Sequence, residues 1–247
     1  MSKWPNVVTI GSFVSDQDVP GDFRLTTMVD GWGSPARRMS TEVRTGRHGV
    51  TIAGQLYAER TIVHEGLVEC STAVAANDIA NELAALAPGV AYDYVVSHEA
   101  LSPLACSVDV AVGANPEWID DRSFTYSLTL VAADPFKRAL SARTTAVGAG
   151  SSVPLTNDGT AAAHMLVTLT SGGTVVLTAG GVTLTTDALP AGAVIDTAST
   201  SVTADDGTDL MHLVAMPPLM PMLPAGGGSG AQAGTAALSI ETFDTYA

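Results

Sequence analysis

Short β-branched runs separated by glycine pairs fill residues 156–215, and this pattern admits little besides antiparallel sheet. After the turn cluster Thr156-Asn157-Asp158-Gly159, the run His164-Met165-Leu166-Val167-Thr168-Leu169-Thr170 alternates apolar and polar residues. Ser171-Gly172-Gly173 turns the chain into Thr174-Val175-Val176-Leu177-Thr178, and Ala179-Gly180-Gly181 turns it again into Val182-Thr183-Leu184-Thr185-Thr186. Past Leu189-Pro190-Ala191-Gly192 come Ala193-Val194-Ile195-Asp196-Thr197, Ser201-Val202-Thr203-Ala204, the turn Asp205-Asp206-Gly207 and Leu210-Met211-His212-Leu213-Val214. A period of two, repeated over so many short strands, predicts an antiparallel sandwich.

The 247 residues allow one or two domains, since a domain takes roughly 100 to 200 residues. Although 46% of the residues are hydrophobic, no run approaches the roughly 18 apolar residues of a membrane helix. The longest candidate, Leu210 to Leu223, is broken by Pro217, Pro218 and Pro221, so no membrane insertion is expected. Met1-Ser2-Lys3-Trp4-Pro5-Asn6 lacks the apolar stretch of a secretory signal, which leads to an expectation of assembly in a cytoplasm. Cys70 and Cys106 have no CxxC spacing and apolar neighbours, and read as two buried thiols.

Net charge is −14, a poor balance for gripping phosphates. Every Lys and Arg lies at or before Arg143, while eight carboxylates lie beyond it. Six of the nine arginines fall between Arg24 and Arg60. Halves with opposite bias suit two domains with different partners.

Ahead of the hairpin region, Val7-Val8-Thr9-Ile10 and Phe23 to Val29 read as strands. Asp30-Gly31-Trp32-Gly33 through Arg47-His48-Gly49 shows no clean period, and a loop of that length inside a compact domain is usually functional. It is either a solvated arginine-rich loop or an inter-subunit arm, the second because Trp32, Met39 and Val43 are mixed with Arg37, Arg38, Arg44 and Arg47. Strands follow at Gly49–Tyr57 and Arg60–Cys70. Ala76, Ile79, Leu83 and Leu86 then fall on one helical face, with Ser71 or Thr72 to cap the start and Pro88-Gly89 to stop it. Further strands, Ala91–Val96, Ala105–Val112 and Phe124–Ala132, end at Asp134-Pro135-Phe136-Lys137, where proline cannot continue a central ladder. Ala146 to Val153 reads by composition as a linker, which predicts domains at residues 1–147 and 148–247.

The ordered elements Asn157-x-Gly159, Leu189-Pro190-x-Gly192, Asp196-Thr197, Asp206-Gly207 and Leu223-Pro224-x-Gly226 resemble the carboxy-terminal domain of siphophage distal tail proteins. In the amino-terminal half, the long loop, the Gly-flanked strand Thr51-Ile52-Ala53-Gly54, the helix and the closing Ala133-Asp134-Pro135-Phe136-Lys137 resemble the same family. A Trp that the family often carries late in the chain is replaced by the Met216 to Met222 region. The resemblance implies a mainly β protein, with a tail-tube-like β-sandwich or split barrel bearing one α-helix and then a galectin-like, or carbohydrate-module-like, β-sandwich. It further implies a homo-hexamer ring at the virion tail tip, joining the tail tube protein to the tail hub or tip protein. Tape measure and receptor-binding proteins are further partners, and genomic DNA passes the lumen without specific binding.

No catalytic residue, metal site or cofactor is read from the chain. His64-Glu65 and His98-Glu99 each open an HExxH pattern that fails at Val68 and Ser102, and both pairs read as surface or edge residues. Asp205 to Asp209 reads as a turn rather than a Ca²⁺ loop, having no distal Glu. Gly226-Gly227-Gly228-Ser229-Gly230 reads as a mobile loop before the last strand. Trp32, Arg37, Arg38, Arg44 and Arg47 are the candidate subunit-interface residues. Two other readings stay open: a glycan-binding adhesin module, against which only Phe243 and Tyr246 supply aromatic faces in the second half, and a tail tube subunit.

Overall fold

The computed structural model describes residues 7–15, 18–19, 22–43, 48, 50–98, 101–215 and 220–247. It is mainly β, and it divides into two compact units between Lys137 and Arg138.

The first unit contains β1 (Val7–Ile10), β2 (Phe13–Val14), β3 (Asp18–Val19), β4 (Asp22–Asp30), β5 (Arg37–Val43), β6 (Val50–Tyr57), β7 (Arg60–Cys70), α1 (Ala73–Ala84), β8 (Tyr92–His98), β9 (Leu101–Val112), β10 (Glu117–Trp118) and β11 (Ser123–Ala132). Its ladder runs β2-β1-β8-β9-β11-β7-β4-β3, with β10 on β11. The twelve residues of β9 pair with β8 through their first part and with β11 through Asp109, Val110 and Val112. One strand thereby joins two layers whose inward residues form a single core, among them Ile10, Phe13, Ile62, Tyr94, Phe124 and Leu130. β7 alternates buried and outward residues along its whole length, which the period of two requires of a strand covered on one face. Thr72 caps α1 by accepting from the Ala75 amide, and Ala76, Ile79, Ala80 and Leu83 close the core.

The stretch expected to be an irregular loop contains β5, which pairs antiparallel with β6 as a two-stranded sheet of its own. Its arginines and serine hid a strand, because successive positions that are all exposed, as Arg37, Arg38 and Met39 are, have no reason to alternate in hydrophobicity.

Short β12 (Lys137–Ala139) carries the chain into the second unit, which holds β13 (Arg143–Val147), β14 (Ser151–Leu155), β15 (Met165–Leu169), β16 (Val176–Ala179), β17 (Val182–Thr185), β18 (Val194–Asp196), β19 (Ser201–Thr203), β20 (Gly228–Gln232), β21 (Leu238–Thr242) and β22 (Thr245–Tyr246). Two sheets, β13-β21-β15-β18-β19 and β14-β20-β16-β17, share one core that includes Met165, Val167, Leu177, Leu184, Ile195 and Ile240. The structure thus has the antiparallel sandwich that the hairpin pattern predicts.

Four local expectations differ. The supposed linker at Ala146–Val153 lies inside the second unit, because β13 pairs with β21 and β14 with β20 around a Gly148-Ala149-Gly150 turn. The division falls ten residues before the expected one, at Lys137 rather than residue 147. Gly228–Gln232 is strand β20 rather than loop. At Gly230 a Cβ would stand 2.6 Å from the Leu155 side chain, so glycine here serves close packing instead of freedom. Leu210–Val214, expected as a strand, contains a 3₁₀ turn at Met211–Leu213; the Met211 amide donates to Asp209 Oδ1 (2.8 Å).

The ordered elements behind the family resemblance turn out to be the knots of this sandwich. Asn157 is wholly buried. Its Nδ2 donates to the carbonyls of Ala161 (2.8 Å), Pro224 (3.1 Å) and Leu223 (3.4 Å), and its Oδ1 accepts from the amides of Gly159 (3.1 Å) and Thr245 (3.2 Å). Three segments, 157–161, 223–224 and the strand at Thr245, meet at one amide. A Cβ at Gly159 would lie 1.9 Å from the Thr245 carbonyl oxygen, which explains the Asn-x-Gly spacing. Thr197 Oγ1 likewise accepts from the Met165 amide (2.7 Å) and donates to its carbonyl (3.1 Å).

Candidate assembly surface

The arm is the β5–β6 hairpin, which starts from the Gly31–Pro35 turn and returns at Ala58–Arg60. A two-stranded hairpin is at best marginally stable on its own in water. This one exposes large apolar side chains on both of its faces: Met39 (61% accessible) shares a face with Arg37 and Tyr57, and Leu56 (74%) lies opposite Arg38. Arg37 lies over the Tyr57 ring at 5.5 Å, and Arg38 forms an ion pair with Glu59. Arg44 and Arg47 lie outside the described residues.

Trp32 sits apart from the two arginines. Half-buried, it packs edge-on against Tyr94 with centroids 5.6 Å apart and belongs to the rim of the core. The guanidinium carbon of Arg60 lies 6.0 Å and the Lys137 Nζ 5.4 Å from the centre of its ring. Arg60 is only 2% accessible. Its Nε donates to the Pro135 carbonyl (2.8 Å), and its Nη1 donates to the carbonyls of Gly31 (2.8 Å) and Gly33. Lys137 Nζ donates to the Trp32 carbonyl (3.1 Å). Burial lowers the pKa of both side chains; Arg60 pushes Lys137 further down, while Cys106 and Asp134 oppose the shift at Arg60. Tyr57 and Phe136 stack edge to face at 5.3 Å.

These anchors escaped the sequence reading. The Asp134-Pro135-Phe136-Lys137 segment signalled only the end of a strand, and nothing local shows that Lys137 reaches back to residue 32.

The outward face of the ladder mixes polar and apolar side chains, Phe23 and Leu25 of β4 and Leu67 of β7 among the apolar ones. β7 turns Glu65 and Glu69 outward, and β11 turns Thr125, Ser127 and Thr129. A groove of about 540 Å³ crosses this face, with Thr27, Glu65, Asn115, Glu117, Ser127 and Thr129 among its walls. Arg24 does not reach it, being directed instead toward Glu82 of α1 (3.8 Å).

His64 is a correction, for it lies in the core at 0% accessibility and not at a surface or edge. Its Nε2 is 3.3 Å from both Thr26 Oγ1 and Tyr126 Oη, and its ring packs edge-on against Tyr94 and Tyr126. Burial lowers its pKa to about 4, and burial raises that of Tyr94. His64 is therefore neutral near pH 7. Among the described residues, no group of three His, Cys, Asp or Glu side chains is placed to hold a metal ion, and no helix is long and apolar enough to cross a membrane. Cys70 and Cys106 are buried free thiols.

No family model matches the chain, and no curated protein matches it in sequence. Its structure is similar to that of the Dit protein (gp 19.1) of phage SPP1, described as a paradigm of the hub adsorption apparatus in phages infecting Gram-positive bacteria. The TM-score is 0.66 at 16% identity, over 91% of this chain and 94% of that one. It is also similar to chains of the phage P2 baseplate in its activated conformation, with Ca (TM-score 0.56) and with Sr (0.55). Each of those matches has 8% identity over 96% of this chain and 97% of that one. At such identities the shared property is the fold, and the chain has the fold of phage distal tail and baseplate hub components.

Proposed function

We propose that this chain is a structural virion protein of a long-tailed phage, six copies of which close into a ring joining the tail tube to the tail tip or baseplate hub. The observation that carries this reading is the arm: a hairpin with exposed Met39 and Leu56, paired to no other strand among the described residues, on a fold shared with hub proteins. A neighbouring copy would cover those side chains, and heterologous contacts that close on themselves set a channel of fixed bore. Arg37, Arg38, Arg44 and Arg47 belong to this contact, and Trp32 fixes its root. The first unit is the ring-forming, tail-tube-like domain and the second is a galectin-like sandwich held by it. Glu65 and Glu69, turned outward on β7, suit the channel wall, because carboxylates repel passing DNA and keep it from adhering. The partners are the tail tube protein on one side and tip or receptor-binding proteins on the other, and the setting is the virion tail, assembled in the host cytoplasm.

Light scattering coupled to gel filtration tests the reading through a particle of six-fold subunit mass. Changing Arg37, Arg38, Arg44 and Arg47 together to Ala is expected to abolish that particle and leave a folded monomer. A ring of unchanged stability in that variant would remove the arm from the interface. Long polymers in the electron microscope would point instead to a tail tube subunit.

A further inference from the structure

The roots of the arm are held by two cations that serve no ion pair. Arg60 and Lys137 are 2% and 9% accessible, yet the ion pairs of the described residues include neither. Their hydrogen bonds go to backbone carbonyls: Gly31, Gly33 and Pro135 for Arg60, and Trp32 for Lys137. Arg60 Nη2 has no hydrogen-bond partner among the described residues. Asp134 attracts Arg60 without forming an ion pair with it, so burying two like charges side by side remains costly, and apolar side chains of similar size would often be at least as stabilising. What the pair provides is geometry.

Gly31 to Gly33 is the outgoing root of the hairpin, and Arg60 itself ends the returning root. The two roots are also closed by the Ala58 amide on the Ala36 carbonyl (2.8 Å). Pro135 to Lys137 is the last segment of the first unit. Its Phe136 ring stacks on Tyr57 at the base of β6, and Arg37 at the base of β5 covers the other partner of that stack. Gly31 is required for this approach: its φ is +78°, and a Cβ there would lie 1.8 Å from the Thr61 carbonyl oxygen.

We propose that Arg60, Phe136 and Lys137 form a clamp that sets the direction in which the β5–β6 arm leaves the first unit. They are positioning residues for assembly rather than contact residues. The proposal gives the Asp134-Pro135-Phe136-Lys137 segment a task beyond ending a strand. It ties the pose of the arm to the stretch from which the second unit departs. Its significance for assembly rests on the reading of the arm as the subunit contact; the clamp itself does not.

The test is hydrogen exchange on the full chain, alongside particle mass, for Arg60→Met, Lys137→Met and Phe136→Ala. Amides in residues 31–38 and 56–59 are expected to exchange at least 10-fold faster in each variant. Those of β9 and β11 should be unchanged, and the ring should be lost or reduced to smaller species. Faster exchange at the roots with the ring intact would keep the clamp and overturn the assembly reading. Unchanged exchange at the roots in Arg60→Met and Lys137→Met would overturn the clamp. If Arg60→Met loosens the whole unit, Arg60→Lys decides. That variant keeps the charge but cannot span three carbonyls, so root exchange must rise while β9 and β11 stay protected; if the roots stay closed, the clamp is wrong.

Discussion

The two units solve the same problem, sealing a β core, with different materials. The first uses aromatic rings, a helix and long strands, and leaves Phe23, Leu25, Met39, Leu56, Trp118 and Ile119 open to solvent. The second uses short strands tied by buried Asn157, Thr186, Thr197 and Gln232; among its described residues only Leu140 is a large hydrophobic side chain left exposed. Its cations are Arg138 and Arg143 alone. Arg143 donates to Asp158 Oδ2 (2.5 Å) and Asp244 Oδ2 (2.9 Å). On the proposed reading, the unit with the unfinished surface is the one that carries self-association. Single exposed apolar residues are ordinary, but Met39 and Leu56 exposed on opposite faces of one hairpin are a reason to look for a partner.

The contrast can be broken most forcefully at its knot. Asn157→Ala leaves the partners of five buried hydrogen bonds unmatched, at about 1–3 kcal/mol for each group left without a replacement. A loss of at least about 3 kcal/mol is expected in the second unit alone, seen in calorimetry as one transition moving and another staying. A loss below about 1 kcal/mol would show that the sandwich does not depend on this amide.

In the first unit the corresponding weak point is acid. His64 has a folded pKa near 4 against about 6.5 when unfolded, so between those values the unfolded state binds the extra proton. Its stabilising contribution is complete above about pH 6.5 and falls away toward pH 4, by about 3 kcal/mol in total. His64→Gln should flatten this part of the stability profile relative to the parent chain. Parallel profiles for the two proteins would exclude His64 as the cause.

The smallest effect on stability, and the sharpest on assembly, belongs to the arm. Met39→Ser with Leu56→Ser should change folding stability by no more than about 0.5 kcal/mol per site, as exposed positions do. The ring should nevertheless dissociate at a protein concentration at least about ten-fold higher, equivalent to about 1.4 kcal/mol of association free energy. Equal effects on stability and assembly would mean that the hairpin packs on its own chain.

Legibility followed burial. Where one face of a strand is covered, as in β7, β15 and β21, the alternation of side chains shows on the page. So does the stripe of α1 with its Thr72 cap. β5 was opaque because Arg37, Arg38 and Met39 are exposed in succession and show no alternation, and β20 because Gly228 and Gly230 have no side chain to show a pattern. His64 misled because a polar residue beside Glu65 reads as exposed, whereas its partners Thr26 and Tyr126 lie 38 and 62 positions away. At the candidate surface, the arginines and Trp32 were visible, but the fastening of Trp32 by Arg60 and Lys137 was not. That fastening joins residues 105 positions apart in the case of Lys137.

The path of the chain through the sandwich has a kinetic result. From β13 onward the strands change sheet repeatedly: β13, β15, β18, β19 and β21 build one layer, while β14, β16, β17 and β20 build the other. Adjacent strands in the five-stranded layer, such as β13 and β21, stand almost a hundred residues apart. Few partners are near neighbours along the backbone, so loop closure must be achieved before contact can reward it, and acquisition of the native state falls in the slow, millisecond-to-second range of non-local β topologies. A polypeptide emerging from the ribosome must hold β13 unmatched until β21 has been synthesised, which makes this half a late step in maturation of the molecule.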